Sequence, residues 1–138
     1  MRIIAFAYTT PALVAGAKSV TRRFWREAHA QHFHKGDLVQ AYDRSPRAGG
    51  KPVAVIRLTE EPRLEWNQDA PDSDWEAEGY QYLYEHPEHI EVPFTRETVS
   101  REGFDEWRES GRQSWVVRFE LVEVVAPPPQ TTAAISGG

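Results

Sequence analysis

Apolar and polar positions alternate most regularly near the end of the chain, over Gln113 to Val125. Trp115, Val117, Phe119 and Leu121 fall on one face, and Val116, Arg118, Glu120 and Val122 on the other. That period of two is the mark of a strand. Leu38 to Tyr42 and Val53 to Leu58 read the same way. The second is expected to continue towards Trp66 with a break at Pro62, since proline has no N–H to give to a ladder. Arg2 to Tyr8 carries apolar residues on both faces and predicts a strand partly buried on each side. Ser19 to Trp25 suits a strand or an extended loop.

The helical stretches are short. Thr9-Thr10-Pro11 predicts a start, with a threonine cap and proline in the first turn. Gly16 predicts the end, so this helix runs from Pro11 to about Ala15. Arg26 to Phe33 has helical character. A further helix is expected from about Trp75 to Tyr84, capped by Ser73 or Asp74. Another begins at Ser100 and sets Phe104, Trp107 and Arg108 on one side. Strands separated by such pieces predict an α+β fold: a small, mostly antiparallel β-barrel with short helices inserted around it. One domain spans residues 1–125. The Pro-, Ala- and Gly-rich stretch 126–138 reads as a flexible tail.

Composition narrows the chemistry. The 138 residues contain no cysteine, which excludes a disulfide framework, a thiolate metal site and a cysteine nucleophile. With no signal-like or membrane-length apolar run, a soluble, cytoplasmic protein is expected. The net charge of −5 hides an asymmetry: residues 1–57 hold 10 Lys/Arg against 3 Asp/Glu, and the remainder 6 against 18. The first part therefore carries +7 and the second −12. A basic cleft in an acidic protein still attracts anions locally, provided the halves do not interleave in space.

The densest chemistry lies in Gly16 to Arg23. A lysine leaves a helix end at Lys18, a hydroxyl follows at Thr21, and two arginines stand at Arg22 and Arg23. A threonine needs a neighbouring base to act as a nucleophile, and a lysine serves only if its pKa is lowered. On a straight strand positions 18 and 21 point to opposite faces, so the pair converges only if the backbone turns. Arg22 and Arg23 likewise diverge. One is expected to meet a ligand anion and the other a structural carboxylate. Glu78 sits in an acidic, aromatic stretch, where a solvated helix face is the simpler reading. Among the aromatics, Tyr80 and Trp25 are candidates to stack on a base. The histidine pairs 29/32 and 86/89 have a spacing that helices use for metals but no fixed ligand motif, so neither a metal nor a cofactor is assigned.

These residues together resemble the ASCH domain of the PUA-like superfamily. The resemblance rests on Gly16-x-Lys18-x-x-Thr21-x-Arg23, with Lys35-Gly36-Asp37-Leu38-Val39, Glu78-Gly79-Tyr80, Trp107 and the closing strand Trp115 to Glu120 in order behind it. It covers about residues 2–124 and implies a PUA-like barrel with a cleft beside the first motif. It also implies binding of RNA or a nucleotide- or nucleoside-like ligand. Some members are reported as ribonucleases, and a smaller relative hydrolyses the acetyl amide of acetylcytidine. Carried over by motif position, Thr21 would be the nucleophile, Lys18 its base, and Glu78 the group orienting Lys18 or the leaving amine. The Trp66–Ser73 connector and the Glu85–Ser110 segment are additions relative to that compact relative.

Overall fold

The computed structural model describes residues 1–125, so the expected tail at 126–138 lies outside the described residues. The strands are β1 (Arg2–Ala5), β2 (Val20–Arg23), β3 (Leu38–Tyr42), β4 (Pro52–Leu58), β5 (Arg63–Trp66) and β6 (Gln113–Val124). They form one sheet in the order β1-β3-β4-β6-β2, with β5 also paired to β6. Only β1 and β3 run parallel; the other pairs are antiparallel. β4 pairs with Phe119 to Val124 and β5 with Gln113 to Val116, so the break at Pro62 folds two successive strands along the long β6. Bulges at Ala41/Tyr42 and Val55/Ile56 add local bend and twist. The result is a curled, mostly antiparallel half-barrel.

The inside of the curl is packed by Ile4, Phe6, Val39, Ile56, Leu58, Val117 and Phe119, closed by Leu13 and Phe33. The outer face of β6 is also covered. There Ser114 donates to Asn67 at 2.7 Å and Arg118 reaches Asp74. A second apolar cluster of Ala12, Leu83 and Val99 gathers Tyr8, Tyr80, Tyr82 and Tyr84 around it.

Several expected boundaries move, each for a local reason. β1 stops at Ala5 because Ala7 takes a positive φ of 48°, which a strand cannot accommodate. A 3₁₀ turn follows over Ala7–Thr9. Helix α1 (Thr10–Val14) has proline in its first turn, but Thr9 does not cap it. The Thr9 hydroxyl donates back to the Phe6 carbonyl at 2.8 Å instead. Helix α2 is only Glu27–Ala30. The single helix expected over 75–84 is two, α3 (Asp74–Ala77) and α4 (Tyr80–Glu85). They are broken at Gly79, whose φ of +90° is open to glycine at little cost. Ser73 stands before α3 without a side-chain capping bond. Helix α5 (Arg101–Arg108) is capped as its sequence suggests, Ser100 accepting the Gly103 N–H at 3.1 Å. No described helix is long and apolar enough to cross a membrane.

The barrel is open on one side. β1 and β2 stand at the two ends of the strand order, and among the described residues no backbone ladder joins them. A side chain bridges the seam: Arg23 Nη2 donates to the Ala5 carbonyl. The candidate site lies in this seam.

Candidate functional site

The turn that brings Lys18 to the seam is anchored on both sides. Gly16, with a φ of +76°, ends α1, and Ala17 N–H returns to the Ala12 carbonyl at 2.8 Å. Ser19 N–H then donates to Ala77 at 2.7 Å, and its carbonyl accepts from Phe119 at 2.9 Å. Lys18 therefore precedes β2, which starts at Val20. The strand rule that would separate it from Thr21 does not apply, and both side chains line one cavity of about 200 Å³.

Lys18 is 4% exposed. Its Nζ donates to the Glu78 carbonyl at 2.8 Å and to Glu78 Oε1 at 3.1 Å. The other carboxylate oxygen of Glu78 accepts from Arg22 Nη1 at 3.0 Å. Arg22 continues to Asp74 Oδ2, and Asp74 takes both arms of Arg118, at 3.0 and 2.9 Å. Lys18, Glu78, Arg22, Asp74 and Arg118 thus alternate in sign along one connected chain. Such pairing is what allows Glu78 and Asp74 to be buried as charges.

Thr21 is also buried, and its Oγ1 accepts from Arg23 Nε at 3.1 Å. Lys18 and Thr21 share the cavity, but no hydrogen bond joins them. Ala7 and Tyr8 form the wall on the β1 side, and Tyr80 closes it from α4. The Tyr8 and Tyr80 hydroxyls are 3.5 Å apart. Ala7, a non-glycine residue at positive φ on the cavity wall, is a local point of backbone strain.

Burial lowers the pKa of Lys18; Glu78 opposes this, and Arg23 and Arg22 reinforce it. Burial raises Tyr80 well above the ordinary phenol value, with the Glu78 charge adding to the shift, and raises Tyr8 as well. Burial pushes the Asp74 carboxyl up, but the bonds from Arg118 and Arg22 outweigh it and the net shift is downward. Both tyrosines therefore offer neutral O–H groups to a ligand, and burial favours the uncharged amine of Lys18.

Six of the seven residues singled out from sequence meet here: Lys18, Thr21, Arg22, Arg23, Glu78 and Tyr80. Arg22 is the arginine held by carboxylates, and Arg23 is the one without a carboxylate partner among the described residues. Glu78, expected on a solvated face, is 4% exposed, because the break at Gly79 turns its carboxylate under the sheet edge. Trp25 does not belong to the site. It does not line this cavity; one face of its half-buried ring stacks on Phe33 at 4.6 Å, against the core. Tyr8, Asp74 and Arg118 were not anticipated as site residues: an aspartate in the first turn of a helix and a strand arginine carry no local signal of their meeting. No group of three or more His, Asp or Glu among the described residues is arranged to hold a metal. A larger hollow of about 330 Å³ beside α5 is walled by the exposed Glu97, Glu102 and Glu106 and contains no buried ionic group.

No family model matches the chain, and no curated protein matches it. One solved structure is similar, that of protein EF3133 from Enterococcus faecalis, of the family model DUF984. The two agree with a TM-score of 0.54 at 16% identity, over 93% of this chain and 85% of that one. At that identity the likeness shows the fold alone.

Proposed function

We propose that this chain is an ASCH-type domain whose seam cavity hydrolyses the amide of a small acylated, nucleoside-like compound. The observation that carries the reading is a buried lysine, held by Glu78, in the same cavity as the hydroxyl of Thr21. The cavity's size supports a small ligand. At about 200 Å³ it falls below the range of roughly 300–1,000 Å³ usual for whole drug-sized ligands, and suits an acyl group or one ring rather than a strand.

The steps balance as follows. Neutral Lys18 takes the Thr21 hydroxyl proton as Oγ1 bonds to the carbonyl carbon. The resulting oxyanion is stabilised by the cationic guanidinium of Arg23. As the C–N bond breaks, Lys18 returns the proton to the departing amine. Water then cleaves the threonine ester by the same proton route, releasing a carboxylate. Glu78 opposes the depression of the Lys18 pKa and holds the amine in place. The two N–H groups of the neutral amine can both stay on Glu78, which leaves the Nζ lone pair to accept the hydroxyl proton.

A second reading is binding of RNA or a nucleotide without turnover. It is supported by Arg23, which has no carboxylate partner among the described residues, and by Phe24, which is 58% exposed with the Arg112 guanidinium 3.9 Å from its ring centre. A ribonuclease has less support, since no histidine lines the cavity among the described residues.

The test is a screen of acylated nucleosides and short single-stranded RNAs with wild type and Thr21→Ala. The variant should lose about a thousandfold or more of turnover while keeping the wild-type circular dichroism melt. Wild-type turnover should rise with pH through the lowered Lys18 pKa, because only the neutral amine accepts the proton. Undiminished hydrolysis by Thr21→Ala would rule out the nucleophile, and RNA binding without turnover would favour the second reading.

A further inference from the structure

The charges around the cavity do not cancel. Lys18, Arg22 and Arg23 line it against the single carboxylate of Glu78. Extending the count along the ionic chain adds Arg118 and Asp74, one of each sign, which leaves an excess of one positive charge while Lys18 is neutral and of two once it is protonated. Arg23 accounts for one of them. Its hydrogen bonds go to two neutral oxygens, Thr21 Oγ1 through Nε and the Ala5 carbonyl through Nη2. An arginine has five N–H donors, so three are left, two on Nη1 and one on Nη2. Those two nitrogens form the end-on fork that matches both oxygens of a carboxylate or phosphate. The underlying face of the guanidinium lies over the Phe6 ring at 5.4 Å, which holds its plane in place. The tyrosine hydroxyls of Tyr8 and Tyr80 complete the wall as neutral donors.

We propose that the cavity takes a ligand bearing an oxyanion group, a carboxylate or a phosphate, seated on Arg23, and that this binding draws a proton onto Lys18. The proposal rests on the seam cavity being the ligand site, and not on its hydrolysing anything. The oxyanion supplies the missing countercharge, and a second negative charge beside Lys18 favours its ammonium form. The groups that face Lys18 are Glu78 from the end of α3, Arg22 and Arg23 from β2, and Tyr8 and Tyr80 across the cavity. Of these, the tyrosines already carry their protons and the Glu78 carboxylate is held by Lys18 and Arg22, so Lys18, whose charged form burial disfavours, is the group left to take up the proton. If the hydrolase reading also holds, the preferred substrate carries its anion within a few ångströms of the scissile carbonyl, because Arg23 Nε touches the nucleophile itself.

The experiment is isothermal titration of the whole chain with acetate and, separately, with inorganic phosphate, each in two buffers of different ionisation enthalpy. Wild type is expected to bind at least one of them with net proton uptake, more weakly as pH rises through the Lys18 pKa. Arg23→Gln should weaken that binding about tenfold or more, the loss of one charge-assisted bond. Arg23→Lys keeps the charge without the fork and should fall between. Arg57→Gln, at an exposed ion pair with Glu120, should match wild type. Preference for acetate assigns a carboxylate ligand, and preference for phosphate a phosphorylated one. Should Arg23→Gln fail to fold, Arg23→Lys and the chemical shifts of Lys18 in wild type carry the same test. Absence of binding for both anions, equal affinity in Arg23→Gln and wild type, or binding without proton uptake would each overturn the proposal. Anion binding by a protein that hydrolyses nothing would leave the proposal standing and remove only the hydrolase reading.

Discussion

Glu78 is the residue on which the site depends, since it holds Lys18 with one oxygen and Arg22 with the other. Glu78→Gln keeps the shape and removes the charge. When protonated, Lys18 would then be a buried ammonium with only a backbone carbonyl for a strong partner. Breaking a buried pair from one side costs about 3–5 kcal/mol, and urea unfolding near neutral pH should show a loss of that size. The Lys18 pKa should fall further, because its largest opposing cause is gone. An NMR titration of Lys18 Nζ reads this directly. Lys18→Met should cost less, since Glu78 keeps Arg22. If Glu78→Gln stays within about 1 kcal/mol of wild type, the pair is not what holds the site together. Lys18 and Thr21 were legible as candidates because their residue types sit in a short, well-bounded turn. The burial of Glu78 was not, because its many acidic neighbours made a wetted face the simpler expectation.

At the level of elements, the break between α3 and α4 does what a continuous helix over 75–84 would not. It turns the Glu78 carbonyl and carboxylate to Lys18 and leaves Asp74 free to join Arg22 and Arg118. Gly79 makes the break, and its surroundings make it irreplaceable. A Cβ there would sit 2.6 Å from Ala12 Cβ and 3.3 Å from Lys18 Cβ. Gly36 has the same φ of +90° with nothing within 4 Å. Gly36→Ala therefore measures backbone strain alone, about 1 kcal/mol. Gly79→Ala adds overpacking of about 1–3 kcal/mol and displaces Lys18. Denaturant melts of the two variants should differ by that second amount; equal losses would mean α1 yields freely at Ala12. Alternation made β3, β4 and β6 legible to within a residue or so. Where an element is decided by one φ value, as at Ala7 and Gly79, hydrophobic period carries no signal.

Across the whole molecule, folding joins part of the charge asymmetry along the chain into ion pairs. Lys18 and Arg22 from the first part meet Glu78 and Asp74 from the second, and Arg57 meets Glu120. A mostly antiparallel curl could be foreseen from the strand pattern. The open seam could not, because it depends on which strands become edges, and that is set by pairings far apart in sequence. The seam and the interleaved charges together bear on the RNA reading. Each phosphate neutralised on a single strand contributes about −0.7 to the slope of log affinity against log salt. At most two uncompensated cations at the cavity then limit its share of the slope to about −1.4. Titration of a labelled single-stranded RNA at several salt concentrations should give weak binding with a slope no steeper than this, reduced by about 0.7 in Arg23→Gln. A slope near −3.5 would require about five phosphate contacts and an extended basic groove. The protein would then be an RNA-tracking module, and the seam cavity would be only one stop along that strand.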